Sequence, residues 1–100
     1  MNTRYKITRL DEEGNPTLSL QEYRNFFATQ SDFIYNYSFS ASQDGVQMKI
    51  KGHFFMWQLE NVQIPFCFFN GEIYVAFLHL VILDKTMEIA RLLEAVYVEG

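Results

Sequence analysis

The chain has 100 residues, with 12 acidic and 8 basic side chains and a formal net charge of −4. Its 49% hydrophobic residues, with only 5 glycines and 2 prolines, exclude a disordered or collagen-like chain and predict a single domain over residues 1–100. One cysteine excludes a disulfide framework, and the absence of an apolar signal core or membrane-length apolar run favours a cytoplasmic protein that does not associate with membranes.

The first predicted elements are a strand and a helix. Residues 5–10 alternate apolar with polar side chains, which is typical of a half-buried strand. Ser19 and Glu22 have the spacing of a capping box, in which each residue hydrogen-bonds to the start of a helix. Apolar residues then recur at helical spacing, so the sequence predicts a helix over residues 20–29.

A long hairpin is predicted next. From Phe33 the apolar period changes to two residues, and Asp44-Gly45 is a strong signal for a two-residue turn. This turn sets a register that places apolar side chains on one face of the hairpin and polar side chains on the other. The predicted pairs are Phe39 with Ile50, Tyr37 with Gly52, Tyr35 with Phe54, and Phe33 with Met56.

Asn70-Gly71 predicts a second hairpin of the same kind. Between the two hairpins the chain reverses over residues 58–61. A three-residue connection places Phe66 and Phe68 on the same side as Phe54 and Met56, whereas a two-residue connection does not. The predicted pairs of the second hairpin are Phe69 with Glu72, Phe68 with Ile73, Cys67 with Tyr74, Phe66 with Val75, and Ile64 with Phe77.

Residues 79–83 fit either an extension of the strand or the start of a helix. We favour a helix over residues 79–93, followed by a short strand over residues 95–98. The resulting order predicts an α+β two-layer sandwich, in which a largely antiparallel sheet (a four-strand meander plus terminal strands) carries two helices on one face. The helices are expected to cover Tyr35, Phe39, Phe54, Met56, Phe66 and Phe68.

The sequence offers few candidates for catalysis. Cys67, His53 and His79 are the only combination of a nucleophile with a base, but Cys67 is predicted on a strand, where nothing activates its thiol. Two histidines without a spaced set of carboxylates make a poor metal site. We therefore expect no enzyme activity, no metal and no cofactor.

Residues 51–57 weakly resemble the aromatic strand of RNA-recognition domains. The alternation predicts that Lys49, Lys51, His53, Phe55 and Trp57 share one face. Against RNA binding stands the acidic net charge, which repels phosphate. An RNA-binding open-sheet module is therefore only the second alternative, and we do not expect a nucleic-acid partner.

The predicted face opposite the helices becomes apolar toward one end. Two helices can cover only one side of a sheet, so this cluster is expected to be exposed and to bind a partner unless the N-terminal strand or a loop folds over it. Self-association into a homodimer through the same face is the first alternative. The predicted partner-binding residues are Ile34, Phe55, Trp57, Phe69 and Tyr74.

Residues 18–23, 65–75 and 85–95, about a third of the chain, resemble a small uncharacterised bacterial family with immunity-protein-like character. None of these stretches is a catalytic motif. The resemblance implies a protein that neutralises a toxin by occluding its active site. Combined with the acidic charge, it leads us to expect a non-enzymatic protein-binding domain with another protein, such as a basic toxin, as its partner.

Overall fold

A computed structural model describes residues 3–77 and 80–99. The predicted α+β class and the predicted order of elements are confirmed. In chain order the elements are β1 (Thr3–Thr8), α1 (Leu20–Ala28), β2 (Phe33–Gln43), β3 (Val46–Leu59), β4 (Val62–Phe69), β5 (Glu72–Phe77), α2 (Leu80–Leu92) and β6 (Val96–Glu99).

The six strands form one sheet in the order β2-β3-β4-β5-β1-β6, and each pairing is antiparallel. Strands β2 to β5 make the predicted meander. The first strand lies between β5 and β6, so both ends of the described chain belong to the sheet. Side chains from α1 and α2 pack into one core cluster on the same face of the sheet, which makes the molecule a two-layer sandwich.

Helix α1 begins where the sequence predicts, but of the two hydrogen bonds of a capping box the described residues form only the one to Ser19. The hydroxyl of Ser19 accepts a hydrogen bond of 3.0 Å from the backbone N–H of Glu22. The Glu22 carboxylate instead accepts two hydrogen bonds, of 2.7 and 2.8 Å, from Arg9. Arg9 also donates to the carbonyl of Leu93 at 3.0 Å, so this one side chain joins the residue after β1 to α1 and to the residue after α2.

The first hairpin follows the predicted register only near its turn. There Ser38 pairs with Lys51, as the two-residue loop requires. Between Asn36 and Ser38 the register shifts by one residue, because Gly52 and His53 of β3 both lie opposite Tyr37. Beyond this bulge the predicted pairs are wrong. The observed pairs are Asn36 with Phe54, Tyr35 with Phe55, Ile34 with Met56, and Phe33 with Trp57.

The shift changes which side chains of β2 and β3 share a face, because a slip of one residue pairs each β2 residue with the neighbour of its predicted partner. Phe55 and Trp57 join the core beneath the helices, whereas Phe54 and Met56 lie on the opposite face. The prediction that the helices cover Phe54 and Met56 is therefore wrong. The turn from β3 to β4 has two residues, with Leu59 paired to Val62, so Phe66 shares its face with Phe55.

The second hairpin is confirmed for the four pairs nearest its turn, whereas Ile64 and Phe77 are not paired with each other. Asn70 and Gly71 have positive φ angles of 51° and 77°, as a tight turn with this dipeptide requires. The observed pairs are Phe69 with Glu72, Phe68 with Ile73, Cys67 with Tyr74, and Phe66 with Val75.

Residues 80–83 belong to helix α2, so the helix favoured from the sequence is confirmed there over the alternative of an extended strand. His79 lies outside the described residues. Part of the apolar stripe of α2 is buried, including Ile82 and Ile89. Two other apolar residues of the helix are not buried, since Leu80 is 73% exposed and Met87 is 42% exposed. Leu80 is the first residue of α2, and Met87 lines a groove between α2 and β6.

Candidate functional site: the open face of the sheet

The five residues predicted to bind a partner do not lie together. Phe55 and Trp57 are buried in the core, with 5% and 8% of their surface exposed. Ile34 and Phe69 lie on the opposite face and are 52% and 59% exposed, and Tyr74 lies there half-buried. The prediction of one exposed cluster is wrong for Phe55 and Trp57 because of the bulge in β3.

Trp57 has a structural role instead. Its indole N–H donates a 3.0 Å hydrogen bond to the Asp32 carboxylate, which also lies 3.0 Å from the ammonium of Lys85 in α2. That ammonium lies 5.6 Å from the ring centres of Phe33 and Trp57. Burial alone would raise the pKa of Asp32, but the hydrogen bonds from Lys85 and Trp57 outweigh it, and the pKa is lowered. These contacts fix α2 on the sheet.

We call the side of the sheet away from the helices the open face. Phe54 and Met56 belong to it, yet only 6% and 4% of their surface is exposed. The Phe54 ring lies against the backbone of Gly52, where a Cβ atom would come within 3.2 Å of the ring. This is the position where the sequence predicted the ring of Tyr37, which is instead 71% exposed.

A groove of about 470 Å³ crosses the open face over β3, β4, β5 and β1. Its lining is mainly apolar and includes the half-buried Cys67 and the exposed ring of Phe69. Sequence reasoning missed Phe54, Ile50 and Arg4 here, although an isolated glycine within a strand, such as Gly52, is a known signal of a bulge. The lining residues are Arg4, Ile50, Phe54, Pro65, Cys67, Phe69, Tyr74, Val75 and Ala76.

The charged groups on the open face differ in how they are paired. Glu72 lies 3.3 Å from the ammonium of Lys6 and accepts a 3.1 Å hydrogen bond from the hydroxyl of Tyr74. Burial would raise the pKa of Glu72, but hydrogen bonds from its neighbours, Lys6 and Tyr74 among them, lower it overall. Arg4, at the groove, has no ion pair within the described part of the chain.

The candidate nucleophile and base are on opposite sides of the sheet. His53 lies on the helix side, where its Nδ1 is 2.9 Å from the hydroxyl of Tyr35. Cys67 faces the groove, and burial raises the pKa of its thiol despite the nearby positive charge of Arg4. Within residues 3–77 and 80–99, no group of three or more histidine, cysteine, aspartate or glutamate side chains could hold a metal ion.

The stretch that resembles an RNA-binding strand does not present its rings. Phe55 stacks on Phe27 of α1 at 5.1 Å between ring centres, and Trp57 stacks on Phe33 at 6.5 Å. Lys49 and Lys51 are exposed, whereas the rings of Phe55 and Trp57 are buried. No accessible surface therefore combines these lysines with the two rings. Stacking of bases on Phe55 and Trp57 would require α1 and α2 to leave the sheet.

No family model, curated protein or solved structure matches this chain. The resemblance to an immunity-like family therefore stays a prediction. Neither helix in the described ranges is long and apolar enough to cross a membrane.

Proposed function

We propose that this chain is a non-enzymatic protein-binding domain that binds its partner through the open face. The observation that carries the proposal is that both helices pack on one side, while the other side has an apolar groove lined by the exposed ring of Phe69 and also exposes the side chain of Ile34. Contiguous apolar surface of this kind usually marks an interaction site. In the described residues no nucleophile and base converge in a pocket, which favours binding over catalysis.

The amount of surface supports a partner. The molecule exposes 6857 Å² and measures 45 × 27 × 26 Å. A compact monomer of this mass would expose about 5,900 Å², so roughly 900 Å² are in excess. One side of a standard protein interface buries about 800 Å².

The groove also indicates the chemistry of the partner. Its apolar walls would take an aromatic or aliphatic side chain, while the guanidinium of Arg4 would pair with a carboxylate beside that side chain. An interface of this type has an apolar centre and a charged rim. We infer that the partner presents an apolar residue next to an acidic one.

A more specific form of the proposal is that the chain acts like an immunity protein and neutralises a toxin. The net charge of −4 would attract a basic toxin at long range and raise the rate of encounter. Contact through the open face would then cover the active site of the toxin. The resemblance of residues 18–23, 65–75 and 85–95 supports this form.

A soluble probe with the same chemistry tests the groove. Anilinonaphthalene sulfonate joins an aromatic body to an anion, so we expect the folded protein to bind it saturably with a rise in fluorescence. Phe69→Ser and Arg4→Gln should each weaken binding about threefold or more. Leu92→Ser, which alters a side chain 53% exposed on α2, is the matched control and should change nothing. Equal binding by all four proteins would contradict the proposed groove.

Partner capture tests the function. The tagged protein and its Leu92→Ser variant should retain the same protein from a lysate of the source cells, and Phe69→Ser should lose it. Sedimentation of the purified protein at two concentrations distinguishes the alternative of self-association. A dimer that Phe69→Ser dissociates would replace the partner protein with a second copy of the chain.

A further inference from the structure

We propose that the groove between α2 and β6 binds an extended peptide segment, which adds a seventh strand to the sheet along β6. This surface lies on the helix side at the end of the sheet and is separate from the open face. The inference therefore goes beyond the proposed function and does not depend on it.

Strand β6 has the properties of an edge that can accept another strand. It pairs with β1 on one side, from Thr8–Val96 to Tyr5–Glu99, and no described strand pairs with its other side. All four of its residues are exposed. Strand β6 reads Val-Tyr-Val-Glu and contains neither lysine nor proline, two residues with which proteins protect such an edge. Its outer backbone N–H and C=O groups can therefore bond to an extended peptide.

The groove beside this edge is large enough for side chains. It measures about 770 Å³, and its apolar lining includes Met87 and Ala90 of α2 and Tyr97 of β6. The Tyr97 ring is held by an edge-on contact with Tyr5, with 6.0 Å between ring centres. Met87 is 42% exposed and lines this groove. An added strand would cover this part of the helix.

Charged residues of α2 line the same groove in a fixed order. Asp84 lies in the first half of the helix, Glu88 lies directly after Met87 in the second half, and Arg91 lies in the last turn. Glu88 is 3.3 Å from Lys85, whereas Asp84 and Arg91 have no ion pair among the described residues. The described part of the groove thus has an unpaired acidic group, Asp84, at one end and an unpaired basic group, Arg91, at the other, and the apolar residues of α2 and the paired Glu88 lie between them.

This order defines the ligand. Arg91 follows Asp84 by seven positions in the helix, which corresponds to a rise of about 10.5 Å along the helix axis. In an extended peptide, residues i and i+4 lie on the same face and are about 13 Å apart. A matching peptide therefore carries a basic residue, an apolar residue and an acidic residue at alternate positions. Because α2 lines the groove with two acidic groups and one basic group, a phosphate ligand is disfavoured.

Selection from a library of random heptapeptides displayed on phage provides the test. We expect the folded protein to enrich peptides with basic, apolar and acidic residues at alternate positions. A synthetic consensus peptide should bind Asp84→Lys at least about tenfold more weakly, since an opposite-charge contact becomes a like-charge contact. Glu13→Lys makes the same charge change in the exposed turn after β1 and is the matched control. It should bind like the unmodified protein.

N-methylation of the consensus peptide, one position at a time, distinguishes strand addition from other modes of binding. Only alternate N–H groups of an added strand point toward β6, so methylation should abolish binding with a period of two residues. No enrichment, no effect of Asp84→Lys, or no such period would overturn the inference. A dimer that the peptide dissociates would also overturn it, because a second copy would then occupy β6. Phe69→Ser should leave peptide binding unchanged, so the two proposals fail separately.

Discussion

The hydroxyl of Tyr23 lies within the hydrogen-bond ladder between β3 and β4. It accepts a 3.0 Å hydrogen bond from the backbone N–H of Phe55 and donates to the carbonyl of Phe66, with the His53 carbonyl 3.1 Å away. Burial raises the pKa of Tyr23 well above its usual range, so the hydroxyl stays protonated. One side chain of α1 therefore completes the pairing of two strands.

Removal of this hydroxyl should be costly. Tyr23→Phe leaves the Phe55 N–H and a carbonyl without a partner inside the core, so we expect the free energy of unfolding to fall by about 1–3 kcal/mol. Urea denaturation followed by circular dichroism measures the change. Tyr37→Phe removes the same hydroxyl from a side chain that is 71% exposed and should have no effect. An equal loss in both variants would show that the ladder does not depend on Tyr23.

The two halves of the predicted cluster should respond differently to substitution. Trp57→Ala should lower the free energy of unfolding by about 3–5 kcal/mol, because it opens a cavity in the core. Phe69→Ser should change it by less than about 0.5 kcal/mol, because that ring is on the surface. Chemical denaturation compares the two. A small effect of Trp57→Ala would mean that this side chain is exposed, as the sequence alone suggested.

At the scale of elements, local signals predicted most of the fold. Asp44-Gly45 and Asn70-Gly71 each specify a tight turn, and the alternation around them gave the register near each turn. The turn signals and the alternation did not predict the bulge at Gly52 and His53, although an isolated glycine in a strand is one signal of a bulge. Its position depends on tertiary contacts, with the Phe54 ring against Gly52 on one face and the Tyr23 hydroxyl beside it on the other. Because of the extra residue, Tyr35 and Phe33 pair with Phe55 and Trp57 and not with Phe54 and Met56.

The bulge itself can be tested at Gly52. A larger side chain there would collide with the Phe54 ring, since even a Cβ atom would come within 3.2 Å. Gly52→Val should therefore lower the free energy of unfolding by about 1–3 kcal/mol, the usual cost of overpacking. Lys51→Val changes the exposed neighbouring residue and is the control for β propensity. Thermal unfolding that is unchanged by Gly52→Val would show that the ring can move away freely.

At the scale of the whole molecule, the ionisable groups set the pH range of stability. Hydrogen bonds from Arg9 lower the pKa of Glu22, and those around Asp32 and Glu72 outweigh the effect of burial and lower the pKa of each. A carboxyl group with a lowered pKa binds protons less readily in the folded state. Its contribution is complete above the unfolded pKa, about 4, and is lost as the pH falls through the folded value.

At high pH the free energy of unfolding changes with pH in the opposite direction. Burial raises the pKa values of Cys67 and Tyr23, so their contributions are complete below the unfolded values, about 8.5 and 10, and are lost as the pH rises. We expect the urea midpoint to be level from about pH 6 to 8 and to fall on both sides. Glu22→Gln should flatten the acid limb, and Cys67→Ala should delay the start of the alkaline limb. A midpoint that rises below pH 4 would contradict the role of these carboxylates, because protonation would then favour the folded state.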